Sequence, residues 1–168
     1  MPKELNDWTM VVERSMKYRG EIIHAVSRLD RVLDIYIATY FCSNKEKRAD
    51  FANIILGGNR ISLDGKRKLF DILIKKQTPD FFIRHPDFNK NMNTVMYERN
   101  SFAHNILCSN EEAIDKMETH IGLQKFSVKN RVEWYSEERI NDILKEIKKC
   151  SHAIALEVRN LPSPPEKE

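Results

Sequence analysis

Near the middle of the chain, Arg99-Asn100-Ser101-Phe102-Ala103-His104 gathers a guanidinium, a carboxamide and an imidazole into one short stretch. Together these groups can work on a phosphodiester without a metal. Attack by a 2′-hydroxyl needs a base to take its proton and an acid to protonate the 5′-oxygen that leaves. Histidine, with an unperturbed pKa of about 6.5, serves either role near neutrality. The transition state gathers negative charge on the phosphoryl oxygens, and a guanidinium offers two parallel donors matched to them. Asn100 can orient the imidazole or hold a phosphate oxygen. At about 100° per residue, Asn100 and His104 share a helix face while Arg99 lies about 140° from His104. Two copies packed across a two-fold axis bring arginine and histidine together more readily than one copy does. The same spacing also arises by chance. Arg99 could then pair with an acid such as Asp30 or Asp34, and His104 could simply cap the helix end.

The element that positions these residues is a helix expected from Pro86, which suits a first turn, to His104. Its apolar stripe reads Phe88, Met92, Val95, Arg99, Phe102 and Ile106, at spacings of 4, 3, 4, 3 and 4. An arginine on that stripe is expensive unless a specific partner receives it. Glu21 and Asp30 are candidate carboxylates for a supporting layer around Arg99.

Upstream, Leu5 to Phe41 reads as helix with a break near Gly20. Its second part carries a seam of Ile22, Val26, Leu29, Leu33, Tyr36 and Tyr40. Lys45 to Leu56 reads as a short helix with Phe51, Ile54 and Ile55 on one side, stopped by Gly57-Gly58-Asn59. Ser62 is a candidate N-cap for a helix to about Gln77 that buries Leu69, Ile72 and Leu73. Thr78-Pro79 and His85-Pro86 mark a loop. Ile121 to Phe126 and Val132 to Tyr135 read as two strands around a Lys129-Asn130 turn. Ser136 is expected to cap a final helix to about Asn160, burying Ile140, Ile143, Leu144, Ile147, Ile154 and Val158. The expected domain is therefore single, over residues 1–160, with a flexible proline-rich tail at 161–168. The expected class is an all-α bundle of four to five helices, with a small β-hairpin inserted before the C-terminal helix.

The R-N-x-x-A-H pattern, late in a helix and ahead of one long C-terminal helix, resembles the R-x4-6-H signature of the HEPN superfamily. The run Gly20-Glu21-Ile22-Ile23, followed by Ser27-Arg28-Leu29-Asp30 and Leu33, is similar to the first core helix of many HEPN proteins. The resemblance covers roughly Glu21 to Val158, and only the six-residue motif is specific. It implies a HEPN-like bundle that dimerises, with Arg99, Asn100 and His104 lining a cleft at the interface. It also implies a metal-independent endoribonuclease acting on single-stranded RNA and leaving a 2′,3′-cyclic phosphate. Many relatives are toxins or defence effectors, so an antitoxin-like partner protein is a further expectation. A non-catalytic RNA- or protein-binding HEPN module is the main alternative. A structural dimerisation domain, with Arg99 in a buried pair, is a third.

Composition fits these readings. Of 168 residues, 41% are apolar and 32% charged, with a formal net charge of +3, which permits nucleic-acid binding without demanding it. Cys42, Cys108 and Cys150 are odd in number and widely spaced, which argues against a disulfide framework or zinc site and for a reducing cytoplasm. No stretch reads as a membrane span. The histidines form no H-x3-H or H-E-x-x-H pair, so neither metal nor cofactor is expected. Basic clusters at Lys45/Lys47/Arg48, Lys66-Arg67-Lys68, Lys75-Lys76 and Lys148-Lys149 could guide an RNA strand, although solvated helix faces explain such runs more often. Trp134 and Tyr135 could stack a base if exposed. His24 and His152 read as structural histidines in helical seams, and Glu98 as surface charge.

Overall fold

A computed structural model describes residues 3–57, 60–116, 118–125 and 131–161. In chain order its elements are α1 (Lys3–Phe41), α2 (Lys45–Asp50), a π-helical stretch (Phe51–Leu56), α3 (Leu63–Gln77) and α4 (Phe81–Arg84). These are followed by α5 (Phe88–His104), β1 (Ile106–Leu107), α6 (Glu111–Asp115), β2 (His120–Gln124), β3 (Val132–Ser136) and α7 (Glu137–Asn160). The chain is mainly helical, and four long helices, α1, α3, α5 and α7, carry most of it. Residues 162–168 of the expected tail, the Lys129-Asn130 turn, Phe126 and Gly58-Asn59 lie outside the described residues.

The expected break at Gly20 does not occur, for α1 is continuous over 39 residues. A glycine inside a helix costs about 1 kcal/mol relative to alanine. Burial of Val11, Tyr18, Ile22, Val26, Leu29, Leu33 and Tyr36 at helical spacing outweighs it. Asn44 Oδ1 caps α2 by accepting from the amides of Glu46 and Lys47. Beyond α2 the winding changes to π, and the buried positions become Ala52 and Leu56. Ile54 and Ile55, expected to share one apolar side with Phe51, are exposed, since i→i+5 winding rotates the face that α-helical spacing predicts. Ser62 caps α3 as expected, its Oγ accepting from Gly65 N at 3.1 Å. In α3, Ile72 is exposed and Lys66 is buried, the reverse of the expected pattern. Two carboxylates of α1, Asp30 and Asp34, receive the ammonium.

The expected hairpin is part of a three-stranded antiparallel sheet, ordered β1-β2-β3. Its register pairs Leu107 with Leu123 and Gly122 with Trp134. The two-residue β1 and the five-residue α6 are too short for periodicity to reveal. Gly122 is required by close approach. A Cβ there would lie 2.7 Å from the Trp134 ring and 3.0 Å from Cys108 Cβ. Gly122→Ala should destabilise the fold by about 1–3 kcal/mol, the usual cost of overpacking. Urea unfolding checks this, and an unchanged midpoint would show that Trp134 gives way freely.

Contacts cluster into two units, residues 1–26 with 97–146 and residues 27–96 with 147–168, so α1, α5 and α7 each contribute to both. In the first, Val11, Ile22, Phe102, Ile121, Leu123, Tyr135 and Ile140 are buried. In the second, an aromatic cluster joins Tyr36, Phe70, Phe81 and Phe88, with ring centroids 4.8 to 5.5 Å apart. Leu29, Leu33, Ile74, Met92 and Ile154 are also buried there. In α7, Ile140, Ile143, Ile147 and Ile154 are buried as expected, while Leu144 and Val158 are half-buried.

Candidate functional site

The last turns of α5 belong to the first unit, and their orientation is set by the residues they bury. Phe102 is 1% exposed and meets the Tyr135 ring edge-on at 4.7 Å between centroids. Glu98 is 4% exposed. Tyr135 Oη lies 2.8 Å from Glu98 Oε2, and Arg139 Nη2 donates to Glu98 Oε1 at 2.9 Å. Arg139 also donates to the Trp134 carbonyl and stacks its guanidinium over the Tyr135 ring. A buried carboxylate needs such company. Glu98 was expected to be surface charge, and it is instead an internal anchor of the helix.

This anchor corrects the predicted stripe. The buried seam steps from Val95 to Glu98 and then to Phe102, not through Arg99. Spacings of three and four are both helical, and the acid at 98 has partners on β3 and α7 that periodicity does not reveal. Ile106 also leaves the stripe, since it belongs to β1 and is 53% exposed. Arg99, Asn100, Ala103 and His104 consequently face solvent together. Arg99 Nη1 donates to Asn100 Oδ1 at 2.9 Å. His104 is the final residue of α5, four positions beyond Asn100 on the same exposed side. No hydrogen bond joins Arg99 to His104. Of the expected supporting carboxylates, neither has a described bond to Arg99. Asp30 is held by Lys66 at 2.9 Å, and Glu21 is exposed.

One residue that sequence reasoning missed closes the helix end. Arg19, from α1, donates through Nη1 to the Phe102 carbonyl at 2.5 Å and through Nη2 to the Asn105 carbonyl at 2.7 Å. Its Nε reaches Ser15 Oγ at 3.3 Å. Burial pulls this guanidinium below its ordinary pKa, although an arginine stays charged at any physiological pH. Nothing in the sequence near Arg19 signals a contact more than eighty positions away.

Beside the site, Tyr97 on α5 donates to Glu133 Oε1 at 2.5 Å, and Lys125 Nζ bonds the Tyr97 hydroxyl. Glu133 Oε2 lies 2.9 Å from Tyr135 Oη, so two carboxylates face one phenol. Burial first, then Glu98 and Glu133, pushes the Tyr135 phenol far above its usual range. It stays protonated and can donate to only one carboxylate at a time.

No protein family, no curated protein and no solved structure matches the chain.

The remaining candidates sort by exposure. Tyr135 is fully buried, and Trp134 is half-buried with Lys116 Nζ 4.4 Å from its ring centroid, which removes Tyr135 as a stacking surface and covers one face of Trp134. Lys66 is buried, and Arg67 and Lys68 pair with acids of their own helix, so that cluster is not a free basic patch. Lys45, Lys47, Lys75, Lys76, Lys148 and Lys149 are exposed. His24 and His152 are exposed, contrary to the structural role expected of them. A cleft of 660 Å³ in the first unit is lined by charged residues including Glu13, Lys17, Glu118 and Glu137, and none of the three motif residues lines it. Among the described residues no group of three histidine, cysteine or acidic side chains could hold a metal ion. No helix among them is long and apolar enough to cross a membrane.

Proposed function

We propose that this chain is a HEPN-type endoribonuclease that cuts single-stranded RNA without a metal, acting as a homodimer. The observation that carries the reading is the joint exposure of Arg99, Asn100 and His104 on one side of α5, whose other side is fixed by Glu98 and Phe102. An exposed guanidinium, carboxamide and imidazole on a rigid helix fit phosphate chemistry. They do not fit the structural alternative, which needs Arg99 buried against an acid.

In the proposed reaction the 2′-oxygen attacks phosphorus, the bond to the 5′-oxygen breaks, and the products are a 2′,3′-cyclic phosphate and a 5′-hydroxyl. His104 transfers the proton, Arg99 stabilises the phosphoryl oxygens, and Asn100 orients one or both. A single chain supplies one imidazole here, and a second copy supplies the partner that acid and base catalysis together need. Three cysteines, odd in number and widely spaced, suit a reducing cytosol. A toxin or defence role, with an antitoxin-like partner, is the setting that the resemblance implies.

The test is incubation of the purified protein with mixed-sequence single-stranded RNA in EDTA, beside His104→Ala. The parent should cut and leave cyclic phosphate ends, and the variant should not. Equal silence from both, with RNA bound by both, would replace this reading with a non-catalytic RNA-binding module.

A further inference from the structure

We infer that Arg19 is a positioning residue for His104, an inference that rests on His104 being the acid–base group. A helix ends with carbonyls that lack intrahelical donors, and its last turn frays unless something satisfies them. Glycine at the position after the helix is the common solution. Here Asn105 stands there, and β1 begins one residue later. The Ser101 carbonyl is satisfied by the Asn105 amide at 3.0 Å. The carbonyls of Phe102 and Asn105, two before and one after His104, both go to the Arg19 guanidinium. One planar fork from α1 thus spans the residue that carries the imidazole. The fork is itself held, since Ser15, which accepts from its Nε, is 2% exposed.

The consequence for chemistry is direct. The imidazole is on the last residue of the helix, where the backbone would otherwise have the most freedom. Misplacement of a reacting group by about 1 Å can cost about 100-fold in rate. Arg19 touches no atom of a substrate in this scheme, so its removal should lower turnover while RNA binding persists. Lysine should replace it poorly, because an ammonium is a point donor without the rigid fork.

The experiment compares the parent, Arg19→Ala, Arg19→Lys and His104→Ala in two measurements. The first is amide hydrogen exchange across α5. The second is steady-state cleavage of a single-stranded RNA in EDTA, with and without added guanidinium ion. Both Arg19 variants should exchange faster at 102–105 while keeping protection at 92–98. They should lose about 10- to 100-fold in kcat with KM nearly unchanged. Guanidinium should restore part of the kcat of Arg19→Ala and none of that of His104→Ala. Unaltered exchange at 102–105 overturns the inference, as does unaltered kcat in an active protein. If the parent does not cleave, the endoribonuclease reading fails. The exchange measurement then decides by itself whether Arg19 fixes the residue at 104. Arg19→Lys keeps the charge and covers the case in which Arg19→Ala does not fold.

Discussion

Lys66→Met should destabilise the protein by about 3–5 kcal/mol, the range seen when one partner of a buried ion pair is removed. The Lys66 side chain is 3% exposed and sits 2.8 Å from Asp34 Oδ1 and 2.9 Å from Asp30 Oδ2. Asp34 is 5% exposed, so losing the ammonium strands its carboxylate, whereas Asp30 is open enough to rehydrate. Arg31, at 3.9 Å and half-exposed, is a poor substitute. Burial already holds Asp34 above the ordinary carboxylate pKa, and Lys66 opposes that rise. Without Lys66 the folded value climbs further. A raised folded value favours the native state while the acid is protonated, below its unfolded pKa of about 4, and that support is lost as pH rises through the folded pKa. The deficit of Lys66→Met should therefore be largest at pH 7 and shrink toward pH 4. Urea unfolding at both pH values measures it. The double variant Lys66→Met/Asp34→Leu should recover most of the loss, since an apolar pair can replace a buried ionic one. A loss under about 1 kcal/mol at pH 7 would mean that the pair is not shielded from water.

Arg99→Ala and His104→Ala should do the opposite, leaving stability within about 0.5 kcal/mol of the parent. Both side chains are exposed, and the helix beneath them is held by other residues. Cleavage should fall by about 10²–10⁴-fold for His104→Ala, the usual contribution of a general acid–base group. For Arg99→Ala the loss should be about 10²–10³-fold, as when a donor to a developing oxyanion is removed. Thermal unfolding and single-turnover cleavage of the same preparations test the two halves together. A variant that cuts as fast as the parent removes that residue from the site. A large drop in melting temperature for Arg99→Ala would revive the structural role that its exposure now argues against.

Much of this arrangement is legible in the sequence. The helices α3, α5 and α7, the Ser62 cap and the placing of the motif at the end of α5 follow from spacing and capping chemistry, while the unbroken course of α1 through Gly20 does not. What spacing could not resolve was rotation by one residue. Arg99 and Glu98 are both helical continuations of Val95, and the choice between them depends on Arg139 and Tyr135, which are distant in sequence. The same blindness put Ile72 inside and Lys66 outside, because the carboxylates that receive Lys66 lie on another helix. The π-winding at Phe51–Leu56 reversed a face without any Gly or Pro to announce it. Arg19 could not be found at all, because its acceptors are backbone carbonyls, which carry no residue type.

The anchoring of Glu98 constrains how this sequence can drift. Lys125 and Arg139 supply two positive charges to the linked side chains around Tyr135, and Glu98 and Glu133 supply two negative ones. A descendant that loses Glu98 alone leaves two cations facing one acid, Glu133, and one that loses Arg139 alone keeps a buried anion. Among homologous chains these two positions should therefore change as a couple, Glu98 giving way to an apolar residue only where Arg139 has gone too. Arg99, facing solvent one position along, carries no such tie to the interior and is free to vary wherever its chemistry is not needed.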